Sequence, residues 1–217
     1  MQTADSSEAF LDAVRKAPII PVLTIERAEQ GAPLAKALAA GGITAIEVTL
    51  RTPAARDALA AAVEAAPDLL VGAGTILNGA QLQAASDAGA AFGVSPGASA
   101  ELLRAAAAWD RPFLPGVANA SEVMAAQAAG FRLLKLFPAA PLGGPAALKA
   151  LGGPFPEVSF CPTGGISAQD AASYLKLGNV FCVGGSWVAP ADLVRDGAWD
   201  RIESLARDSL AALRDAA

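Results

Sequence analysis

Strand-like runs alternate with Ala-rich, helix-like segments along this chain, and this alternation limits the fold more than any other feature. The β-branched and aromatic runs are nearly continuous in apolar residues, as is typical of parallel strands buried on both faces. They predict eight strands: Ile19–Ile25, Ile43–Leu50, Leu69–Ile76, Ala91–Ser95, Pro112–Val117, Arg132–Phe137, Val158–Pro162 and Val180–Val183. A first helix is predicted over about Ser7 to Lys16, and others over Gln30–Ala40, Ala54–Ala65, Ala100–Trp109 and Ser121–Ala129.

Eight strand–helix repeats with no linker between them predict a single α/β domain over residues 1–217. The expected architecture is one (β/α)8 TIM barrel with an extra N-terminal helix. An open, doubly wound sheet is the main alternative. The glycine fingerprint of dinucleotide-binding sheets is missing after the first strand, which argues against a dinucleotide-binding form of the open sheet.

Composition excludes several classes of partner and chemistry. The net charge is -5 and no basic run is present, so we expect no nucleic-acid partner. No apolar stretch has membrane length and the N-terminus lacks a secretion signal, so we expect a cytoplasmic protein without membrane association. The absence of histidine removes Ser-His-Asp catalysis and imidazole zinc sites. A Mg²⁺ site held by carboxylates is the remaining alternative, but no clustered carboxylate pair supports it. Cys161 and Cys182 form no CxxC motif and are interpreted as reduced core thiols.

Lys135 lies in the middle of an apolar, strand-like run. The other four lysines fall in segments predicted to be helical. Burial of an ammonium removes its water and favours the neutral amine, which is a nucleophile. The alternative is a lysine whose stem packs on apolar groups while its charge reaches solvent at a strand end.

The second predicted strand carries a polar face. Period-two alternation places Glu47, Thr49 and Arg51 on one side and two apolar residues on the other, so the polar side is expected to point into the barrel. Glu47 and Arg51 are about 13 Å apart on an extended strand, at about 3.3 Å per residue. We therefore expect two parts of one elongated site, with a stabilising ion pair at the strand end as the alternative.

Glycines follow several predicted strands, at the end of the barrel where active sites of this fold lie. Two glycine pairs, Gly164-Gly165 and Gly184-Gly185, follow the last two strands, and Ser186 comes next. Such loops aim backbone N–H groups at one anion and form the usual phosphate site of these barrels, although tight turns alone would also explain them. The glycines of Val71–Thr75 would let a ligand approach the backbone closely, and Thr75 offers a hydroxyl, although turn chemistry explains this segment equally well. The segment that contains Pro96 is a similarly weak signal.

These residues together describe a site for a phosphorylated keto acid. A buried amine condenses with a ketone, a carboxylate moves protons, and an arginine holds a substrate carboxylate. The chain resembles the class I 2-keto-3-deoxy-6-phosphogluconate (KDPG) and 4-hydroxy-2-oxoglutarate (KHG) aldolases along nearly its whole length. The matching segments are Pro21-Val22, Glu47–Thr52, Gly72–Thr75, Ser95–Gly97, Lys135, Phe137–Ala139, Phe160–Ile166 and Gly184–Trp187. Many relatives carry a second Phe after the lysine, where this chain has Leu136, which is expected to face away from the site.

The resemblance implies a carbon–carbon lyase of the Entner-Doudoroff pathway that cleaves KDPG to pyruvate and glyceraldehyde 3-phosphate, with homotrimeric assembly. It also implies that the enzyme needs no metal and no cofactor. It implies that Lys135 forms the imine and that Glu47 is the general acid and base. The remaining implied contacts are Arg51, Thr75 and Thr163 with the substrate carboxylate, Gly164, Gly165, Gly185 and Ser186 with the phosphate, and Pro96 and Phe137 in the pocket wall. Activity on 4-hydroxy-2-oxoglutarate, an aldolase for the galactonate epimer, a sugar-phosphate isomerase and a non-catalytic phosphate-binding barrel remain alternatives.

Overall fold

The computed structural model describes residues 4–215, in which parallel strands alternate with helices. The strands are β1 (Ile19–Leu23), β2 (Ala45–Thr49), β3 (Leu70–Gly74), β4 (Gly93–Val94), β5 (Phe113–Leu114), β6 (Gly116–Val117), β7 (Leu133–Leu136), β8 (Ser159–Pro162) and β9 (Val183–Gly185). The helices are α1 (Ala4–Lys16), α2 (Gly31–Ala40), α3 (Ala55–Ala65), α4 (Gly79–Asp87), α5 (Ala100–Ala108), α6 (Ala120–Ala128), α7 (Gly144–Gly152), α8 (Ala171–Leu175), α9 (Ala191–Asp196) and α10 (Trp199–Asp215). A short 3-10 helix, Ala28–Gln30, precedes α2.

The strands form two parallel ladders, in the orders β5-β4-β3-β2-β1-β9 and β6-β7-β8. Pro115 alone separates β5 from β6. It has no N–H to donate, so the ladder is interrupted there, and the two halves pair with different neighbours, β4 and β7. Isolated bridges, Phe160 to Val180 and Thr163 to Gly184, join β8 to the segment that contains β9. The chain therefore has an α/β fold with a curled parallel sheet.

Every predicted strand overlaps an observed one, although most observed strands are shorter, and two predicted strands differ in more than length. The fifth predicted strand, Pro112–Val117, is divided at Pro115 as described. The predicted bounds of the eighth strand, Val180–Val183, were wrong because β9 begins at Val183 and continues through two glycines. Glycine has low strand propensity, but pairing with β1 holds these residues in the ladder.

None of the helices within residues 4–215 has both the length and the apolar character needed to cross a membrane.

Side chains alternate along the strands between the inside of the curled sheet and the helices around it. On β2, Ile46 and Val48 pack in the apolar layer shared with the helices, and Glu47 between them turns inwards. On β7, Lys135 turns inwards in the same way. Leu136 is in the outer layer, so it faces away from the interior, as expected from the sequence.

Helix α1 covers the end of the sheet at which the strands begin. Phe10 and Val14 are buried in the inner cluster of apolar side chains. The Phe10 ring centroid lies 4.9 Å from that of Phe92, just before β4, and 6.4 Å from that of Phe181, just before β9. Aromatic packing of described residues fills this end, so we expect a ligand to enter the interior from the carboxyl ends of the strands.

Candidate active site

A buried ion pair joins two strands that are not neighbours in the sheet. Lys135 Nζ on β7 lies 3.1 Å from Glu47 Oε1 and 3.2 Å from Glu47 Oε2 on β2. Each side chain is only 4% exposed. The contact crosses the interior of the curled sheet, so the Lys135 charge does not extend to solvent at a strand end. The amine also lies 5.4 Å from the centre of the Phe137 ring, within the range of a cation–π contact.

Gly74 provides the space that the Glu47 carboxylate occupies. A Cβ atom at position 74 would lie 2.1 Å from Glu47 Oε1 and 2.5 Å from Glu47 Cγ, closer than atoms can approach. Gly74 is paired with Thr49 in the β2–β3 ladder, so its position is fixed by the sheet. Any larger residue here would displace the carboxylate from Lys135. The glycines that the sequence placed at the end of β3 therefore have a specific steric role at Gly74.

Arg51 and Thr75 form a second polar group, separate from the ion pair. Arg51 Nε donates a hydrogen bond of 3.1 Å to Thr75 Oγ1. Thr75 has a φ of 60°, which is strained for a β-branched residue and is often found at functional sites. Among the side chains of residues 7–215, no carboxylate lies within 4.0 Å of the Arg51 guanidinium, so it is available for an anionic ligand. The expectation that Glu47 and Arg51 form separate parts of the site agrees with this geometry.

The loops after β8 and β9 have the backbone geometry of an anion-binding site. Gly164 and Gly165 have φ angles of 97° and 77°, which L side chains rarely adopt. Within the described part of the chain, the N–H groups of Gly165 and Ser186 have no hydrogen-bond acceptor. Ser186 is exposed and its hydroxyl lies at the same loop cluster. Backbone N–H groups that converge from two loops in this way bind phosphate without a cationic side chain.

A cavity of about 350 Å³ connects these groups. It lies at the carboxyl ends of the strands, and its wall includes both the amine and the glycine loops. Its lining consists of Val22, Thr24, Arg51, Lys135, Phe137, Thr163, Gly164, Gly165, Ile166, Gly184, Gly185, Ser186, Ala189 and Ala191. The volume and the elongated distribution of polar groups suit a small ligand with an anionic group at each end.

Cys161 and Cys182 lie inside the sheet beneath this cavity, and both are free and buried. Burial, together with Cys161 and Glu47, raises the pKa of the Cys182 thiol well above its ordinary value. A neutral thiol is a poor nucleophile, so Cys182 does not compete with the amine. The interpretation of both residues as core thiols is confirmed. Within the side chains that the structure describes, those of residues 7–215, no group of three His, Cys, Asp or Glu is arranged to hold a metal ion.

Comparison with known proteins identifies the family. The family model described as "Aldolase: KDPG and KHG aldolase" matches residues 11–205, which is most of the chain. The chain belongs to the KDPG and KHG aldolase family. The 2-dehydro-3-deoxy-phosphogluconate aldolase of Pseudomonas aeruginosa is 49% identical over 97% of this chain and 96% of its own length.

Solved structures of this family also match the fold closely. The KDPG aldolase of Legionella pneumophila, with pyruvate captured as a covalent carbinolamine intermediate, is 46% identical with a TM-score of 0.88. That match covers 92% of this chain and 97% of the Legionella chain. The Zymomonas mobilis KDPG aldolase with 3-phosphoglycerate is 45% identical with a TM-score of 0.85, and the match covers 93% and 95% of the two chains.

Most of the residues predicted for this aldolase site line one cavity. Eight of the eleven predicted residues are in its wall, and the three others are Glu47, Thr75 and Pro96. Glu47 lies behind Lys135, and Thr75 contacts the cavity through Arg51. Pro96 is half-buried and packs close to the backbone of Gly116, outside the lining.

The structure of this family member adds lining residues to which the sequence gave no role. Thr24, Ala189 and Ala191 are the clearest examples. Thr24 directly follows β1. The rule that active-site residues lie at the carboxyl ends of barrel strands would therefore have identified it from the sequence. The two alanines have no chemical signature, and only the chain path after β9 brings them to the cavity.

Proposed function

We propose that this chain is a class I aldolase that cleaves 2-dehydro-3-deoxy-6-phosphogluconate to pyruvate and glyceraldehyde 3-phosphate through an imine on Lys135. The observation that carries the proposal is the buried contact of 3.1 Å between Glu47 Oε1 and the Nζ atom of Lys135, which lines the cavity. Family membership supports it, as does the Legionella relative, whose structure holds pyruvate as a covalent carbinolamine. The activity is that of a carbon–carbon lyase.

The proposed chemistry uses one amine and one carboxyl group. The contact lets a proton pass from the Lys135 ammonium to the Glu47 carboxylate, which leaves a neutral amine. The amine attacks the C2 ketone to give a carbinolamine, and Glu47 protonates the departing hydroxyl, which leaves as water. The Glu47 carboxylate then removes the C4 hydroxyl proton as the C3–C4 bond breaks, releasing the aldehyde. The enamine left on Lys135 takes a proton at C3, and hydrolysis releases pyruvate.

The substrate is proposed to lie along the cavity with an anion at each end. Arg51, with Thr75 and Thr163, would hold the C1 carboxylate, because a guanidinium binds a carboxylate through two hydrogen bonds. The phosphate would bind at the opposite end, to Gly164, Gly165, Gly185 and Ser186. The Zymomonas relative was solved with 3-phosphoglycerate, a phosphorylated acid, which supports a phosphate subsite in this family. Phe137, and Pro96 at the rim, are proposed to shape the wall.

The architecture proposed for the enzyme is a complete (β/α)8 barrel with the additional helix α1, in one domain over residues 1–217. Support comes from the two ladders, which share the β5–β6 run, and from the bridges between β8 and the β9 segment.

By family resemblance we propose a homotrimer located in the cytoplasm. Sedimentation analysis tests the trimer, and a monomer at micromolar concentration would contradict it.

Cleavage of 4-hydroxy-2-oxoglutarate to pyruvate and glyoxylate is a second candidate activity, since the matching family model is named for both substrates. The phosphate loops favour the phosphorylated substrate, so its kcat/KM should be the higher of the two. The galactonate epimer is less favoured, because relatives named for the gluconate series are 45–49% identical to this chain, whereas the matching structure named KDPGal is 28% identical. An isomerase or a non-catalytic phosphate binder would have no use for the buried amine.

Covalent trapping tests the proposed function. The protein is incubated with pyruvate, reduced with borohydride and digested, and the adduct is located by mass spectrometry. We expect one adduct, on Lys135. Loss of the adduct when pyruvate is omitted is the control. An adduct on another lysine, or none, would contradict the imine mechanism.

Replacing Gly74 with alanine should reduce turnover by about tenfold to a hundredfold, because a displacement of the catalytic group by about 1 Å has an effect of this size. The added Cβ would meet Glu47 Oε1 at 2.1 Å, so the carboxylate must move away from Lys135. The measurement is kcat for KDPG cleavage. Gly178→Ala is the matched control, since a Cβ at position 178 has no heavy atom within 4 Å. Full activity in Gly74→Ala would show that the position of Glu47 does not matter.

A further inference from the structure

Thr24 is a polar cavity residue that the proposed mechanism leaves unused. It directly follows β1, is exposed, and lines the cavity with Val22 from the same strand. Strand β1 lies between β2, which leads to Arg51, and β9, which leads to Ser186. A ligand that extends from the arginine to the glycine loops must therefore pass the end of β1. Thr24 thus faces the middle of such a ligand, away from both of its anionic ends.

The hydrogen bonds around Thr24 fix the role of its hydroxyl. Thr49, which is fully buried, donates its only hydroxyl proton to the carbonyl oxygen of Leu23 over 2.8 Å. Thr24 Oγ1 lies 3.3 Å from Thr49 Oγ1. A hydroxyl has one proton and two acceptor lone pairs, and the Thr49 proton is already used. In this contact Thr24 can therefore only be the donor, which leaves its oxygen lone pairs open to an external donor.

We propose that Thr24 is a specificity-determining residue whose hydroxyl oxygen accepts a hydrogen bond from the C5 hydroxyl of the substrate. A phosphate or carboxylate offers no proton, so an acceptor at this position suits a hydroxyl and not the ends of the ligand. In the proposed mechanism the C4 hydroxyl gives its proton to Glu47, and C5 is the next hydroxylated carbon before the phosphate. This inference rests on the proposed function and extends it to one atom of the substrate.

The reverse reaction allows a direct test, because the aldehyde can be varied at this carbon alone. Pyruvate is condensed with glyceraldehyde 3-phosphate or with 3-phosphooxypropanal, which has the same length but lacks the 2-hydroxyl that becomes the C5 hydroxyl. Rates are measured for wild type, Thr24→Val and Thr24→Ser. Valine keeps the branched shape and removes the oxygen, and serine keeps the oxygen.

We expect wild type to prefer the hydroxylated aldehyde, with the ratio of the two kcat/KM values falling about tenfold in Thr24→Val, the size expected for one lost neutral hydrogen bond. Thr24→Ser should keep the wild-type ratio. Comparing ratios cancels the different intrinsic reactivity of the two aldehydes. An unchanged ratio in Thr24→Val would overturn the role of Thr24 while leaving the aldolase activity intact. If wild type condensed neither aldehyde, the proposed function itself would fail, and the inference with it.

Discussion

Replacing Lys135 with methionine should abolish KDPG cleavage, with a loss of more than about 10⁴-fold, the scale on which enzymes lose activity when the group that forms the covalent intermediate is removed. Methionine has a similar length but no amine, so no imine can form. The same change should lower the free energy of unfolding by about 3–5 kcal/mol, because it leaves the Glu47 carboxylate buried without its partner. Steady-state kinetics and urea unfolding measure the two effects.

A second variant separates these effects. In Lys135→Met combined with Glu47→Leu, both charges are replaced by apolar side chains of similar size. Replacing a buried ion pair in this way is often neutral or stabilising. We therefore expect stability near that of wild type and no activity. Measurable cleavage by either variant would contradict the role of Lys135, and a double variant as unstable as the single one would contradict the electrostatic explanation.

Changing Glu47 to glutamine should lower kcat by about 10²- to 10⁴-fold, the range associated with loss of a general acid or base. Glutamine has nearly the same shape, so the side chain still fits beside Gly74, where the space is restricted. The amide cannot take the C4 hydroxyl proton or supply a proton to the carbinolamine. The amine remains present, so borohydride should still trap pyruvate on Lys135, at a lower rate.

The phosphate subsite provides the control for this variant. Glu47 lies inside the sheet beside Lys135, whereas the proposed phosphate contacts are in the loops after β8 and β9. The inhibition constant of inorganic phosphate should therefore change less than about twofold in Glu47→Gln, since the variant removes no contact at that subsite. An equal loss of turnover and phosphate affinity would mean that the substitution disturbs the whole cavity, and the assignment of acid and base to Glu47 would be wrong.

The difference between prediction and structure is clearest at the strand ends. The alternation of apolar and polar residues was enough to turn Glu47 and Lys135 inwards, because side chains on a strand change face at every residue. Their pairing was not predicted from the sequence. The two residues are 88 positions apart and on strands that are not neighbours, so their contact depends on how far the sheet curls.

The sequence pattern also failed to predict strand structure where pairing with a neighbouring strand outweighs the low strand propensity of glycine. Gly184 and Gly185 looked like loop residues because glycine disfavours strands, yet they form most of β9 against β1. The role of Gly74 was hidden for a related reason. Its sequence context suggested close approach of a ligand, whereas the atom that needs the space belongs to Glu47 of the neighbouring strand.

The amino-acid sequence by itself determined the strand–helix alternation, the buried lysine and the glycine loops, because these follow from residue type and from spacing within short segments. Together with the family resemblance, that was sufficient to predict an aldolase. The tertiary structure alone decided that Lys135 meets Glu47 at 3.1 Å, that Arg51 meets Thr75, and that the Thr24 hydroxyl contacts Thr49 beside the cavity. Each of these contacts joins residues distant in the sequence, and only the path of the folded backbone sets the distance between them.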